Sequence, residues 1–395
     1  MIVSKSKWLP NLIWSFVIFT HGALAMGSSP LPLPGQGEDP PVPEIKLQIE
    51  NVGNGYSSPA VTDKLIYLTG EADSLGYIMA FDWEGNEIWK NCYGPEWTLS
   101  FRGSRAEPVV DQTRVYVCSG YGALTCYHAI SGKQIWNVDL INDLGGQNVN
   151  YGYSMPVLID GDQLFCAPGG KENNIVALDK NSGDLLWSSP GVGESAGYGK
   201  PLVVHRGELK ILMTFSEFTF LGVNARTGEI LWTSDLNFKG ELPCNQPVYS
   251  EGRIYIVAGP GNGAFAFDLS QDGKSIRERW RNPHLNSFFG GFVLVDDYLV
   301  GSADSKRSYV SVDTNTGNIK SQLRFGKGAT ITANALLITY NQRGQCGIMS
   351  ISNGKLSLLQ EFRISKGSGE HFALPVFFKD MLIIRHGNTL LGYRI

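Results

Sequence analysis

The chain has 395 residues, 43% of them hydrophobic, with 33 basic and 37 acidic side chains and a formal net charge of −4. That is ample material for a large core, which excludes a disordered chain and a small disulfide-stapled scaffold. The acidic balance, with only 18% charged residues, excludes a non-specific nucleic-acid binder, because neutralising phosphates needs a basic face.

The chain opens on an export leader. Lys5 and Lys7 precede a mostly apolar stretch at 12–19, and Ala23-Leu24-Ala25 has the small-x-small form of a signal-peptidase site. The expectation is a signal peptide over 1–25, cleaved after Ala25, and an exported protein that is periplasmic or extracellular. The apolar run falls short of the roughly 20 residues needed to cross a bilayer, and no comparable run follows, so no transmembrane span is expected. No cysteine follows the cleavage site, so no lipid anchor is indicated. Residues 26–43, which include SSPLPLPGQGEDPPVP from Ser28 to Pro43, read as a proline-rich linker.

From Glu44 to Ile395 the sequence repeats. AFDWEGNEIW (80–89), YHAISGKQIW (127–136), ALDKNSGDLLW (177–187) and VNARTGEILW (223–232) align, and Gly85, Gly132, Gly183 and Gly228 each stand four residues before a tryptophan. AFDLSQDGKSIRERW (266–280) is a stretched copy, and Gly317 and Gly354 mark two copies without the tryptophan. Pro59, Pro108, Pro156, Pro201 and Pro247 recur at steps of 49, 48, 45 and 46 residues. The 128 residues from Pro247 to Pro375 leave room for starts near Phe292 and Ala333, making eight units. In the third unit, strands are predicted at 156–159, 163–167, 174–179 and 184–188, with a glycine turn at 180–183. Four short strands every 45 residues or so predict an all-β, eight-bladed β-propeller of four-stranded antiparallel blades over 44–395. The last unit ends one strand short, and the alternating EIKLQIENV (44–52) supplies it, so an N-terminal strand completes the last blade and removes an open edge.

The PVL…ALD…SG…LW pattern resembles the pyrroloquinoline-quinone-type (PQQ-like) propeller repeat of quinoprotein alcohol dehydrogenases and of the outer-membrane assembly lipoprotein of Gram-negative bacteria. The resemblance implies the fold and leaves the function open, since enzymes and scaffolds share the repeat. It implies that Trp89, Trp136, Trp187, Trp232 and Trp280 dock blade against blade. Family enzymes hold the quinone near the axis beneath adjacent cysteines, with calcium and an aspartate base; this sequence has no adjacent cysteine pair and no CxxCH haem motif.

Six cysteines remain, at 92, 118, 126, 166, 244 and 346. Cys118 and Cys126 face each other if their turn centres on Gly122, whereas a turn at Tyr121-Gly122 sets Cys118 opposite Thr125; a bridge and buried free thiols are both open. No CxxC or paired Cys/His spacing marks a zinc site. His128, His205 and His371 share no spacing, and GPGNGAF (259–265) lacks the strand-to-helix context of a phosphate loop, so no catalytic or metal residue is assigned. Asp82, Asp179, Asp268 and Asp313 precede hairpin turns and are expected to cap their amides.

Residues just before each landmark proline should converge on one channel rim. Three back stand Tyr56, Arg105, Tyr153, Tyr198, Cys244 and Phe372; one back stand Ser58, Glu107, Met155, Lys200, Gln246 and Leu374. The candidate ligand-binding set is Tyr56, Arg105, Glu107, Tyr153, Tyr198, Lys200, Asn245, Gln246, Glu370 and His371. Its tyrosines serve either a ligand or the inter-blade seam, and its charges either a ligand or a salt bridge across the channel. Two functions follow. One is a non-enzymatic propeller, without a cofactor, offering its rim to an envelope protein or small ligand; the other is a PQQ- and calcium-dependent dehydrogenase of an alcohol or sugar.

Overall fold

The structure is a computed structural model that describes residues 43–236 and 243–395. The expected leader, its cleavage site and the linker up to residue 42 lie outside the described residues. The chain forms eight separate four-stranded antiparallel sheets arranged as a β-propeller. Blade 1 comprises Ala60–Val61, Ile66–Ala72, Leu75–Phe81 and Glu87–Pro95, and the following blades repeat that plan. In blade 3 the strands run Leu158–Asp160, Gln163–Cys166, Ile175–Asp179 and Leu185–Ser189, each within two residues of its predicted start. Blade 6 begins at Phe292 as expected, but blade 7 begins at Gly328 and its first strand ends at Ala333, the expected start.

Closure follows the predicted route. Ile45–Glu50 pairs antiparallel with Thr389–Arg394, from Ile45 opposite Tyr393 to Glu50 opposite Thr389, with a bulge between Ile45 and Leu47.

The core is divided into eight apolar clusters, each shared by two adjacent blades, including one that joins blade 8 to blade 1 through Leu47, Ile49, Ile66, Ile383 and Leu390. Strand alternation explains the division. Leu164 and Cys166 turn towards blade 2, whereas Phe165 and Ala167 turn towards blade 4. Middle strands are therefore buried on both faces and read as continuous apolar runs.

The glycine-tryptophan repeat acts across these seams. Trp89 Nε1 donates to the Ala129 carbonyl of blade 2 at 2.9 Å, and a Cβ on Gly132 of that blade would lie 2.7 Å from the Trp89 ring. Trp136, Trp187 and Trp280 repeat the bond to Lys180, Ala225 and Thr314. Trp232 departs from the pattern. Its Nε1 is buried without a partner, because Arg206 donates to the Leu269 and Ser270 carbonyls at the corresponding turn.

Two expectations need correction. Cys118 pairs with Leu124, and Cys126 with Tyr116, because the hairpin turns over Gly120-Tyr121-Gly122; neither proposed register forms. Cys92, Cys118, Cys126, Cys166 and Cys346 are free thiols, all but Cys92 buried. Asp82, Asp179 and Asp313 cap their turns, but Asp268 instead pairs with Arg277 and Arg279. The lengthened turn of blade 5 is capped by Ser270 and Asp272.

Candidate functional site

Six loops that lead into the inner strands bring aromatic rings into one contiguous set. Ring centroids step from Tyr198 to Tyr151 (6.2 Å), to Phe101 (6.4 Å), to Phe372 (5.9 Å) and on to Phe289 (4.8 Å) and Phe288 (5.0 Å), with Tyr56 5.4 Å from Phe372. Phe101 is 54% exposed and Leu99 76% exposed, both on the loop between blades 1 and 2. Phe101 holds φ at +43°, a strained value for a bulky residue and one that recurs at functional sites.

That loop is anchored from below. Buried Glu96 accepts hydrogen bonds from the Tyr93 hydroxyl (2.6 Å) and from the Trp97 and Gly120 amides (both 2.7 Å). Its burial raises the Glu96 pKa. Ser104 exchanges backbone bonds with Asn54 and Tyr56, tying the loop to the segment entering blade 1.

Arg105 sits among these rings. Its Nη2 donates to the Ser100 (2.8 Å) and Phe101 (2.6 Å) carbonyls, and its guanidinium lies 5.8 Å from the Trp97 ring. Among the described residues it has no ion pair and its buried Nε has no partner, and burial lowers its pKa. The phenols of Tyr56 and Tyr198 lie within its electrostatic reach, each with a pKa raised by burial. Glu107 of blade 2 and Lys200 of blade 4 pair with each other, the salt bridge foreseen as one alternative.

The remaining candidates separate from this group. Tyr153 is 3% exposed, lies in the core between blades 2 and 3 and donates to the Pro168 carbonyl at 2.6 Å. Blade 3 pairs first at Leu158, two residues after its proline rather than one, and that offset turns Tyr153 inward. Asn245 is also buried, donating to Val257, Ser287 and Phe288 carbonyls and accepting from the Gly291 amide; it holds the loop that carries Phe288 and Phe289. Gln246 donates to the Pro201 carbonyl, and Glu370 is exposed. His371 stacks on His386 at 3.8 Å and contacts the Tyr340 hydroxyl; burial and the neighbouring His386 lower its pKa to about 4.

Phe101, Tyr151 and Phe288 were missed because they lie in loops outside the repeat register, and Phe289 because blade 6 has no landmark proline to count from. Arg385 was missed too, although an arginine within the apolar MLIIRH was a visible signal. It is wholly buried and donates to the Gly53, Ser57 and Gly387 carbonyls and the Ser57 hydroxyl. Burial lowers its pKa to about 9.

Calcium does not fit this rim. It takes six to eight oxygens, usually several carboxylates, whereas here Glu107 is committed to Lys200 and Glu96 to three donors. Among the described residues no cluster of three His, Cys, Asp or Glu side chains is placed to hold a metal, and no helix is long and apolar enough to cross a membrane.

The profile of the family described as outer membrane protein assembly factor BamB matches residues 74–323. A quinoprotein ethanol dehydrogenase of Pseudomonas aeruginosa is 32% identical over 159 residues, 35% of this chain and 25% of that protein. BamB of Francisella tularensis is 27% identical over 166 residues, 41% of this chain and 33% of that protein. The chain thus matches only a quarter to a third of the length of these curated relatives. Among solved structures, BamB from Moraxella catarrhalis has a TM-score of 0.65 at 15% identity, covering 90% of this chain and all of that one. A computationally designed protein, Ika8, has a TM-score of 0.62 at 13% identity, covering 89% of this chain and 99% of that one. At such identities the likeness is one of fold.

Proposed function

The chain belongs to the family described as outer membrane protein assembly factor BamB, and from that premise we propose that it is an exported, non-enzymatic propeller whose aromatic rim binds a protein partner in the cell envelope. The observation that carries this reading is the set of rings gathered from six loops, with Leu99 and Phe101 displayed to solvent. Aromatic side chains at a broad rim offer large contact area at low entropic cost, the composition of protein-binding hot spots. No resident cofactor enters this reading.

A quinone-dependent dehydrogenase is the second reading, supported by the P. aeruginosa relative and opposed by the rim's lack of a calcium donor set. One comparison separates the two. In envelope extracts, cross-linking to a defined partner should be lost on Leu99→Ala/Phe101→Ala substitution, which removes two exposed apolar side chains and so changes stability by only about 0.5 kcal/mol. Saturable quenching of tryptophan fluorescence by pyrroloquinoline quinone with calcium, accompanied by dye-linked alcohol oxidation, would overturn the binding reading.

A further inference from the structure

A cation without an ion pair among the described residues, set at an aromatic surface, needs a reason. Arg105 spends Nη2 on two loop carbonyls and makes no ion pair with any described residue. Its nearest acid in electrostatic terms, Glu96, already receives the Tyr93 hydroxyl and two amides. The other charges before the landmark prolines, Glu107 and Lys200, satisfy each other. Neither the Tyr56 nor the Tyr198 phenol donates a hydrogen bond among the described residues, and Tyr198 accepts one from the Tyr151 amide. Among the described residues the rim therefore presents Arg105 without an ion pair and two phenols that donate no hydrogen bond, framed by Phe101, Tyr151 and Phe372, with Lys327 at the equivalent register of blade 7 and exposed Glu370 within electrostatic reach of Tyr56.

We propose that Arg105 anchors an aspartate or glutamate side chain presented by an extended segment of a partner protein, with apolar or aromatic residues on either side of the acid. The charge selects a carboxylate, since guanidinium–carboxylate bonds are charge-assisted and directional. The breadth of the surface selects a peptide over a free small acid. Five consecutive ring-to-ring steps of 4.8–6.4 Å, from Tyr198 to Phe288, exceed what an isolated carboxylate can cover. This inference rests on the rim-binding reading and adds the partner's chemistry.

The test uses two peptides, acetyl-Phe-Asp-Phe-amide and acetyl-Phe-Asn-Phe-amide, titrated into the full chain by calorimetry. The aspartate peptide should bind roughly tenfold more tightly, and Arg105→Gln should abolish the difference while leaving the asparagine peptide unaffected. If Arg105→Gln does not fold, Tyr56→Phe, which removes only a hydroxyl, should weaken the aspartate peptide by roughly threefold and spare the other. Equal binding of both peptides would overturn the carboxylate anchor and leave the rim reading standing. Failure of both to bind at millimolar concentration would overturn the two together. Acetyl-aspartate binding as tightly as the tripeptide would overturn the partner segment as the source of the acid.

Discussion

Replacement of Arg385 tests how the ring is held shut. In the middle strands of the other blades, the register places Thr69, Cys118, Ala167, Phe215, Val257, Ser302 and Tyr340 at the position that Arg385 occupies in blade 8. All are uncharged, so the guanidinium is a departure confined to the blade built from both ends of the propeller. It bonds to Gly53 and Ser57, the segment that leaves the closing strand, and no carboxylate pairs with it. Arg385→Ala strips donors from buried carbonyls at a cost of about 1–3 kcal/mol each, so a loss of about 3–5 kcal/mol is expected once neighbours relax. Arg385→Met keeps most of the volume while removing the hydrogen bonds and the charge, and should cost about 2 kcal/mol. Urea unfolding followed by tryptophan fluorescence measures both, and hydrogen exchange should show faster opening of Ile45–Glu50 than of any other strand. A buried lone cation can also be a net burden relieved by an apolar substitute. Arg385→Met as stable as the parent, with exchange at 45–50 unchanged, would refute the bolt.

Three further outcomes are expected. Trp280→Phe leaves the Thr314 carbonyl without its 2.8 Å bond, whereas the Trp232 Nε1 has no partner to lose, so Trp280→Phe should be less stable than Trp232→Phe by about 1–2 kcal/mol in urea titrations. His371 has its pKa lowered to about 4, so the unfolded chain binds the proton first as pH falls. Its contribution is whole above its unfolded value, about 6.5, and is lost on acidification through 4; discounted for partial exposure, about 1–2 kcal/mol of that loss should vanish in His371→Phe, measured by melting at stepped pH. A double-mutant cycle on Glu107→Ala and Lys200→Ala should give about 0.5–1 kcal/mol of coupling in stability, and neither change should alter the preference for the aspartate peptide.

The architecture was legible because its two signals are physical requirements of every seam. The glycine four residues before Trp136, Trp187 and Trp232 is needed twice over: for the positive φ of its own turn, and for room beneath the preceding blade's indole, as Gly183 beneath Trp136 shows with φ +82° and a Cβ distance of 3.0 Å. Where the tryptophan is lost the need persists. In blade 6, Ser321 stands at the tryptophan position and the Tyr298 ring covers Gly354 of blade 7 instead. The two registers offered for Cys118 and the blade 7 start were misjudged because strand register depends on turn length, which composition does not fix.

The rim was half legible, and the reason lies in the choice of origin for counting. A proline is a landmark of sequence, whereas side-chain direction is set by the first hydrogen-bonded pair of the inner strand. In blades 1, 2, 4, 5 and 8 that pair begins one residue after the proline, at Ala60, Val109, Leu202, Val248 and Val376. Four residues before it stand Tyr56, Arg105, Tyr198, Cys244 and Phe372, the same residues that counting three back from the proline selects. In blade 3 the count slips by one, so Ser154 holds the register and Tyr153 faces the core. In blade 6, which has no landmark proline, aligning its inner hairpin by the Val295–Tyr298 pair brings Phe289 into the same place, 4.8 Å from Phe372. The register thus sets Arg105 at a position that aromatic residues fill in four of the other blades. Blade 7 sets Lys327 at the same register and blade 3 sets Ser154 there, so Arg105 is one of two cations in a largely aromatic collar, and its exchange for glutamine should change what the rim selects far more than how firmly the blades hold together.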